Sequence, residues 1–312
     1  MAESDRFVDA LIYSLAGAKT MRNLPRPVDV LRKPPPNPPE IIQSNFVGAS
    51  YVNAYAEAAS FVRVADEWSR KHRGVGLADA SQVIDFGSGW GRISRMLLAR
   101  LAPAKLYALD VDLEMTALVN ATLPGVNALT VAPFPPTALR DGMAEDILAF
   151  SVFSHLSPDA HAAWAGEFGR LVPCSGMVFL TLLDQAFFDQ VLETKNAVAA
   201  GSGDAFALSL SQCFPDLDET RVKYDAGEPV YAGIGGGGVR TGDYYGWAAI
   251  PPEFISRVWG PAGFDVVEWV PSGTLFPQAM VCLVKRTSGG RAGGMVRSSR
   301  RRWRLSLGHR GK

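Results

Sequence analysis

Apolar residues along this chain form short continuous runs that alternate with helical patterns, in which apolar positions recur every three or four residues. The runs predict β-strands at residues 83–86, 106–109, 128–131, 147–152, 177–183, 264–270 and 279–285. The helical patterns predict α-helices at residues 92–101, 113–122 and 158–171, and a further helix that begins at Pro251-Pro252-Glu253. Strands and helices that alternate about every 20 to 25 residues are typical of a parallel sheet with helices on both faces. The pattern therefore predicts an α/β fold with a doubly wound sheet.

The segments outside this alternation are predicted to be additions to one large domain. Residues 1–43 combine a short amphipathic helix with a proline-rich arm, which must be extended because proline restricts the residue before it. A helix predicted at residues 50–73 has one apolar face and is expected to pack on the core. Residues 184–250 form a turn-rich insertion with several aromatic residues, which we expect to cover a site as a lid. Residues 44–286 then form the main domain, and residues 287–312 a tail that we predict to be disordered.

The formal net charge of zero averages two unlike parts of the chain. Eight of the 31 Lys and Arg residues lie in the tail, which has no acidic residue, so 23 basic residues face 31 acidic residues elsewhere. An acidic body argues against nucleic acid as the main partner, whereas the tail suits weak contacts with anionic surfaces. Three widely spaced cysteines indicate neither a disulfide framework nor a metal site, and no apolar run is long enough for a transmembrane segment. We expect a soluble, cytoplasmic protein without a metal.

The stretch VIDFGSGWGR, residues 83–92, places three glycines between a predicted strand and a predicted helix. Such a turn holds nucleotide-like ligands, and the spacing of its residues selects among them. No lysine and hydroxyl pair follows Gly91, which excludes a triphosphate loop. A dinucleotide turn has a third glycine where this chain has Arg92, so that match is partial.

Two acids near the turn favour a different ligand. Asp85 precedes the first glycine, and its carboxylate would repel a pyrophosphate but attract the ammonium group of an amino acid, directly or through water. Asp110 ends the second predicted strand, a position from which a carboxylate can accept both hydroxyls of a ribose. A ribose together with an ammonium group describes S-adenosylmethionine.

These residues resemble motif I and the following acid of the class I S-adenosylmethionine-dependent methyltransferases. The resemblance continues in a bacterial subgroup with a PP-rich loop, here Pro135-Pro136, and an SVFxHL signature, here residues 151–156. Other positions of this chain that match the subgroup are Trp164, Glu167, Arg170, Tyr245-Gly246 and Gln278. Ala144-Glu145 and Cys174-Ser175 depart from its pattern, and no acid follows strand three to hold the adenine, a task that the backbone of residues 133–136 can take over.

The resemblance implies a Rossmann-like, seven-stranded, mostly parallel sheet whose last strand is antiparallel. It also implies S-adenosylmethionine as the methyl donor, a small-molecule or glycan acceptor, and transfer to oxygen. The residues that it assigns to the cofactor are Asp85, Gly87, Gly89, Gly91, Asp110 and Ser151. His155 is the candidate general base, although a histidine in this turn can equally orient the loop through a backbone hydrogen bond.

Other interpretations stay open at this point. A nicotinamide-dependent oxidoreductase is disfavoured by Arg92 and Asp85, and a scaffold protein that keeps the fold without catalysis is the third class. Trp90 either covers the cofactor or packs the turn. The aromatic group Tyr244, Tyr245 and Trp247 belongs either to a substrate lid or to a local core. Asp112 is expected to cap the helix that follows it.

Overall fold

Seven strands form one sheet in this computed structural model, which describes residues 35–287. Their order is β3-β2-β1-β4-β5-β9-β8, and a separate pair is formed by β6 and β7. The strands β1 to β5 pair in parallel, while β9 is antiparallel to both β5 and β8. This confirms the predicted doubly wound sheet with an antiparallel last strand. The bounds are β1 Val83–Phe86, β2 Leu106–Asp110, β3 Asn127–Thr130, β4 Asp146–Ala149, β5 Met177–Leu182, β6 Val230–Ala232, β7 Trp247–Ala249, β8 Phe264–Val270 and β9 Ala279–Lys285.

Helices cover both faces of the sheet within the described residues. Successive residues of a strand point to opposite faces, so Val83 packs in one core with α2 to α4, and Ile84 packs in another with α5 and α9. The helix bounds are α1 Glu40–Val47, α2 Tyr51–Arg73, α3 Arg92–Leu97, α4 Leu113–Thr122, α5 Pro158–Leu171, α6 Ala186–Ala199, α7 Ala205–Ser211, α8 Leu217–Asp225 and α9 Pro252–Trp259.

The chain order of the strands reverses between β1 and β4. From β1 the chain continues to β2 and β3 on one side, and β4 and β5 then lie on the other side. Loops that follow neighbouring strands diverge at such a point, which leaves a crevice at the carboxyl ends of the strands. The fold therefore places its natural ligand site above β1, β2 and β4.

The insertion at residues 184–250 is more regular than its turn-rich sequence indicates. It contains α6, α7, α8 and the β6–β7 pair, and its own apolar core includes Phe187, Phe188 and Phe214. Short helices form here because they are capped: Asp204 accepts a hydrogen bond from Ala207 N (2.9 Å) and Asp216 from Glu219 N (2.9 Å).

Some predicted bounds need correction. The helix predicted at 92–101 ends at Leu97, because the backbone tightens there into bonds such as Arg100 N to Leu97 O (2.8 Å). The strand predicted at 147–152 ends at Ala149, since Ser151 has a φ of 57°, which a strand does not accommodate. The helix predicted within residues 1–30 and the tail beyond residue 287 lie outside the described residues.

Candidate functional site

A cavity of about 250 Å³ opens at the carboxyl ends of β1, β2 and β4. The glycine turn spans residues 87–91. Residues 87–90 of this turn form the floor of the cavity together with Asp110 and Ser151, whereas Gly91 does not line the cavity. Its roof consists of Phe46, Glu57 and Arg240, which come from α1, α2 and the β6–β7 loop. Segments that are distant in the sequence thus enclose the crevice that the topology creates.

The glycine turn is pressed against its neighbours at both ends. Gly87 has a φ of 70°, and a Cβ atom added to it would lie 2.3 Å from Val152 Cγ2. Gly91 has a φ of 86°, and a Cβ atom there would lie 3.0 Å from Leu123 Cδ1. Both positions combine left-handed backbone with close contact, which glycine alone tolerates without strain. The chain therefore needs glycines here to bring the turn close to the loop after β4 and to α4.

Asp110 lies at the cavity wall, and its carboxylate is held by the backbone. Oδ2 accepts a hydrogen bond from Gly89 N (2.7 Å) and Oδ1 accepts one from Asp112 N (2.9 Å). Burial raises the pKa of Asp110, while these two N–H groups act to lower it. A carboxylate offers about four lone-pair sites, so those left by the two N–H groups can accept the hydroxyls of a diol. Asp112 caps α4, as predicted, through Glu114 N (3.0 Å).

Asp85 has a different environment from the one that its place in the motif suggests. Its Oδ2 accepts hydrogen bonds from Ser94 N (2.8 Å) and Ser94 Oγ (2.6 Å), and the side chain is not part of the cavity lining. Burial raises its pKa to about 7, against the opposing effect of the bonds from Ser94. Asp85 thus ties β1 to the first turn of α3 and lies behind the residues that line the cavity.

Two polar atoms of the glycine turn have no hydrogen-bond partner within residues 35–287. They are Ser88 Oγ and Trp90 Nε1, and both are buried although their residues line the cavity. The indole of Trp90 also packs edge-on against Tyr55, with ring centroids 5.6 Å apart, so the residue both packs the turn and borders the cavity. Buried donors without partners are costly in a folded protein. These atoms therefore fit a polar ligand such as the amino acid part of S-adenosylmethionine.

Ser151 and His155 follow β4, and both line the cavity. The backbone N–H of Ser151 donates to Thr181 Oγ1 (2.7 Å), and its Oγ accepts from Gln278 Nε2 (2.8 Å), which leaves the carbonyl and the hydroxyl proton of Ser151 for other partners. His155 Nδ1 lies 2.7 Å from Gly246 O, a contact that makes Nδ1 the protonated nitrogen and leaves the lone pair on Nε2. Burial lowers the pKa of His155 to about 4 despite this bond, so the ring is neutral at physiological pH.

The aromatic group of the insertion divides between the two roles that the sequence left open. Tyr245 stacks on His155 with ring centroids 4.9 Å apart, and both Tyr244 and Tyr245 line the cavity. Trp247 stacks on Phe187, with centroids 5.5 Å apart, and packs against the core of the insertion. The two tyrosines therefore belong to the candidate site, whereas Trp247 anchors the insertion beside it.

Two arginines hold the roof in place. Arg92 Nη1 donates to Glu57 Oε2 (2.7 Å), which fastens α2 over the glycine turn, and its guanidinium lies 4.8 Å from the ring centre of Phe150. Arg240 Nη1 donates to Asp112 Oδ2 (3.2 Å), and its Nη2 lies 3.7 Å from Asp110 Oδ1. The Arg240 guanidinium also lies 4.8 Å from the ring centre of Phe46. Arg240 thus joins the insertion to the end of β2 across the cavity.

The PP-rich loop is held by the three α5 residues noted in the resemblance. Trp164 Nε1 donates to Pro133 O (2.8 Å), and Glu167 accepts from Thr137 N (2.8 Å). Arg170 donates to Glu167 Oε1 (2.6 Å) and to Leu139 O (2.6 Å). Burial alone would raise the pKa of Glu167, but the bonds from Arg170 and Thr137 lower it. These contacts position the loop so that Pro133 borders the cavity.

Sequence reasoning missed the residues of the roof. Glu57 lies on a helix whose sequence shows only an apolar face, and Arg240 lies in the turn-rich insertion just after the glycine run 235–238. A lone basic residue beside a glycine run in a predicted lid is the one signal that could have found Arg240. Among residues 35–287 no cluster of His, Cys, Asp or Glu could hold a metal ion, and no helix in that range is long and apolar enough to cross a membrane.

No protein-family model matches this chain, and no curated protein matches it. Solved structures do match. One is an S-adenosylmethionine-dependent methyltransferase from Clostridium acetobutylicum, with 10% identity, a TM-score of 0.49, and coverage of 79% of this chain and 97% of that chain.

Two further structures have named substrates or pathways. An amino pentose methyltransferase from Micromonospora echinaspora, solved with S-adenosylmethionine, is 15% identical over 76% of this chain and 92% of its own, with a TM-score of 0.47. The 1,6-didemethyltoxoflavin-N1-methyltransferase from Burkholderia thailandensis, solved with S-adenosylhomocysteine, is 15% identical over 81% of this chain and 94% of its own, with a TM-score of 0.46.

Proposed function

We propose that this chain transfers the methyl group of S-adenosylmethionine to a small-molecule or glycan acceptor, at oxygen. The observation that carries the proposal is the pairing of the glycine turn with Asp110. Gly89 N–H donates to a carboxylate that lines the cavity and still has lone pairs for a ribose diol. Arg92 in place of a third glycine, and the absence of a lysine after the turn, argue against a dinucleotide or a triphosphate in the same position.

The cavity offers suitable groups for each part of the cofactor. Asp110 accepts the ribose hydroxyls, and the backbone near Pro133 borders the adenine. Ser88 Oγ and Trp90 Nε1 are the unpartnered donors for the carboxylate, and the Ser151 carbonyl is an acceptor for the ammonium group. Asp85 acts indirectly, because it fixes the helix that follows the turn.

The cofactor supplies an electrophilic methyl group on a sulfonium, and the protein contributes alignment and exclusion of water. His155 is the candidate base for a hydroxyl acceptor. Its Nδ1–H is held by Gly246 O, so Nε2 can take the proton that the hydroxyl loses as the carbon–oxygen bond forms. Its pKa of about 4 keeps the base form fully populated near neutral pH.

Calorimetric titration tests the cofactor first. Binding of S-adenosylhomocysteine with no binding of NADH is the expected result, whereas NADH binding alone would replace the proposal with an oxidoreductase. Transfer of tritium from S-adenosyl-[methyl-³H]methionine to an extract of the cells that encode the chain then tests the reaction. Cofactor binding without any labelled product would favour a scaffold that keeps the fold.

Replacement of the histidine tests the base on the acceptor found in that assay. His155→Gln is expected to lower kcat by about a hundredfold, the low end of the usual effect of general base catalysis, with unchanged affinity for S-adenosylhomocysteine. The wild-type kcat should not vary between pH 6 and 9, because His155 is already deprotonated there. His72→Gln, on the distant α2–β8 contact, is the matched control. A kcat within threefold of the wild type would remove His155 from the mechanism.

A further inference from the structure

Three side chains at the carboxyl ends of β4 and β5 and before β9 form a closed ring of hydrogen bonds. Ser151 N lies 2.7 Å from Thr181 Oγ1, Thr181 Oγ1 lies 2.6 Å from Gln278 Oε1, and Gln278 Nε2 lies 2.8 Å from Ser151 Oγ. Thr181 is fully buried, whereas Ser151 and Gln278 line the cavity. The ring thus has a buried side and a side that faces the candidate site.

Each bond in the ring has a defined donor. Ser151 N–H donates to the Thr181 hydroxyl, which donates in turn to Gln278 Oε1, and Gln278 Nε2 donates to Ser151 Oγ. The side-chain oxygen of Gln278 therefore faces Thr181, and its amide nitrogen faces Ser151.

Two protons of the ring have no good partner within residues 35–287. One is the second N–H of Gln278, since Nε2 makes only the bond to Ser151 there. The other is the Ser151 hydroxyl proton. The Ser154 Oγ atom lies 3.5 Å from Ser151 Oγ, and this distance is longer than the roughly 2.5 to 3.0 Å of a normal O–H···O hydrogen bond. The cavity side of the ring consequently presents two donors side by side.

The backbone is distorted to hold Ser151 in this place. Its φ of 57° lies in the left-handed region, which residues with a Cβ atom rarely adopt. Strained residues of this kind cluster at functional sites, where the surrounding structure holds them. Here the bond from Ser151 N to Thr181 and the bond from Gln278 Nε2 to Ser151 Oγ provide that support.

We propose that the Ser151 hydroxyl and the Gln278 amide together bind a hydrogen-bond-accepting oxygen of the methyl acceptor, next to the atom that is methylated. This rests on the proposed methyltransferase function and specifies its substrate: a hydroxyl, ether or carbonyl oxygen accompanies the reacting group. Both donors are uncharged, and the two arginines of the cavity are engaged with Glu57 and Asp112. The pair therefore binds an accepting oxygen, and an N–H group in its place would meet two donors.

A crystal structure with S-adenosylhomocysteine and no acceptor tests the proposal. With the acceptor absent, an ordered water should lie about 3 Å from both Ser151 Oγ and Gln278 Nε2. A carboxylate oxygen of S-adenosylhomocysteine in that position would assign the donors to the cofactor and overturn the proposal. A Ser151 hydroxyl bonded to Ser154, with no oxygen between the donors, would overturn it too.

Variants keep the test independent of folding. Ser151→Gly removes the hydroxyl at a backbone conformation that glycine prefers, and Gln278→Leu removes the amide at similar size. Each should lose the water, and Gln278→Leu should keep its Kd for S-adenosylhomocysteine within threefold of the wild type. Gln190→Leu, on the exposed side of α6, should keep the water.

A larger loss of cofactor affinity in both variants, with normal folding, would again assign the pair to the cofactor. Failure of the wild type to bind S-adenosylhomocysteine would refute the proposed function instead. The water would then be sought in ligand-free crystals, where its absence would refute the donor pair by itself.

Discussion

The carboxylates near the ends of β1 and β2 occupy similar places in the motif but have opposite surroundings. Asp85 is the third residue of β1, points to the sheet face that α3 covers, and accepts two hydrogen bonds from Ser94. Asp110 is the last residue of β2, borders the cavity, and accepts from two backbone N–H groups. Asp85 pairs with Ala108, so Asp110 lies two residues further toward the carboxyl edge of the sheet, where it is at the open edge and not under a helix.

Within one motif, Asp85 therefore supports the structure and Asp110 has the position suited to ligand binding. Asp85 completes the first turn of α3 by accepting the N–H of Ser94, so it stabilises the element that carries the glycine turn. Asp110 presents unused lone pairs to the cavity. A motif acid is thus assigned to a ligand only after its immediate neighbours are known.

The largest expected effect is on stability and concerns Asp85→Asn. The folded pKa of about 7 exceeds the ordinary value of 3.8, so the native state binds the proton more tightly, and the contribution of Asp85 to stability is lost as pH rises through about 7. Relative to Asp85→Asn, the free energy of unfolding of the wild type should fall by about 3 kcal/mol between pH 5 and pH 8. Urea denaturation of both proteins at each pH measures the difference.

Asp265→Asn is the matched control, because Asp265 is half-exposed and paired with Arg286 far from the turn. If the wild type lost the same stability relative to Asp265→Asn between these pH values, the effect would not come from Asp85. Affinity of Asp85→Asn for S-adenosylhomocysteine is expected to stay within threefold of the wild type. A loss above tenfold in a folded variant would mean that Asp85, like Asp110, acts on the ligand itself.

The smaller effect is on binding and concerns the roof partner of Asp110. Arg240→Ala removes the contact with Asp112 and the cover over Phe46, and a partly exposed ion pair of this kind contributes about 1 kcal/mol. Affinity for S-adenosylhomocysteine should fall roughly fivefold, mainly through faster dissociation measured by stopped flow.

The control for Arg240 is Arg257→Ala, which removes a similar pair of contacts, with Glu228 and Phe254, at an exposed site on α9. It should leave the dissociation rate unchanged. An Arg240→Ala protein that binds more tightly than the wild type would show that the arginine competes with the ligand for Asp110 and does not enclose it.

The floor of the site was predictable from the sequence because its determinants are local. The strand, the three glycines and Asp110 are read from short spacings, and the structure brings Gly87, Gly89, Asp110, Ser151 and His155 together around one cavity. The mostly parallel sheet follows from the alternation of strands and helices, and its antiparallel last strand follows from the resemblance. These signals need no knowledge of distant contacts.

The roof was not predictable in the same way, because its contacts join distant segments. Arg92 reaches Glu57 across 35 residues, and Arg240 reaches Asp112 across 128 residues. No local pattern specifies such pairs. Asp85 shows a second limit of sequence reasoning. Its motif suggests a contact with a ligand, but in the structure its carboxylate accepts a hydrogen bond from Ser94 of α3.

The central claim is that Asp110 holds a ribose in the cavity, and calorimetric titration with S-adenosylhomocysteine tests it most directly. Loss of a charge-assisted hydrogen bond in Asp110→Asn should weaken binding by about 2 kcal/mol, roughly thirtyfold, in a protein that still folds. Asp189→Asn, at an exposed position paired with Arg221, should bind as the wild type does. A folded Asp110→Asn protein whose Kd stays within threefold of the wild type would contradict the account.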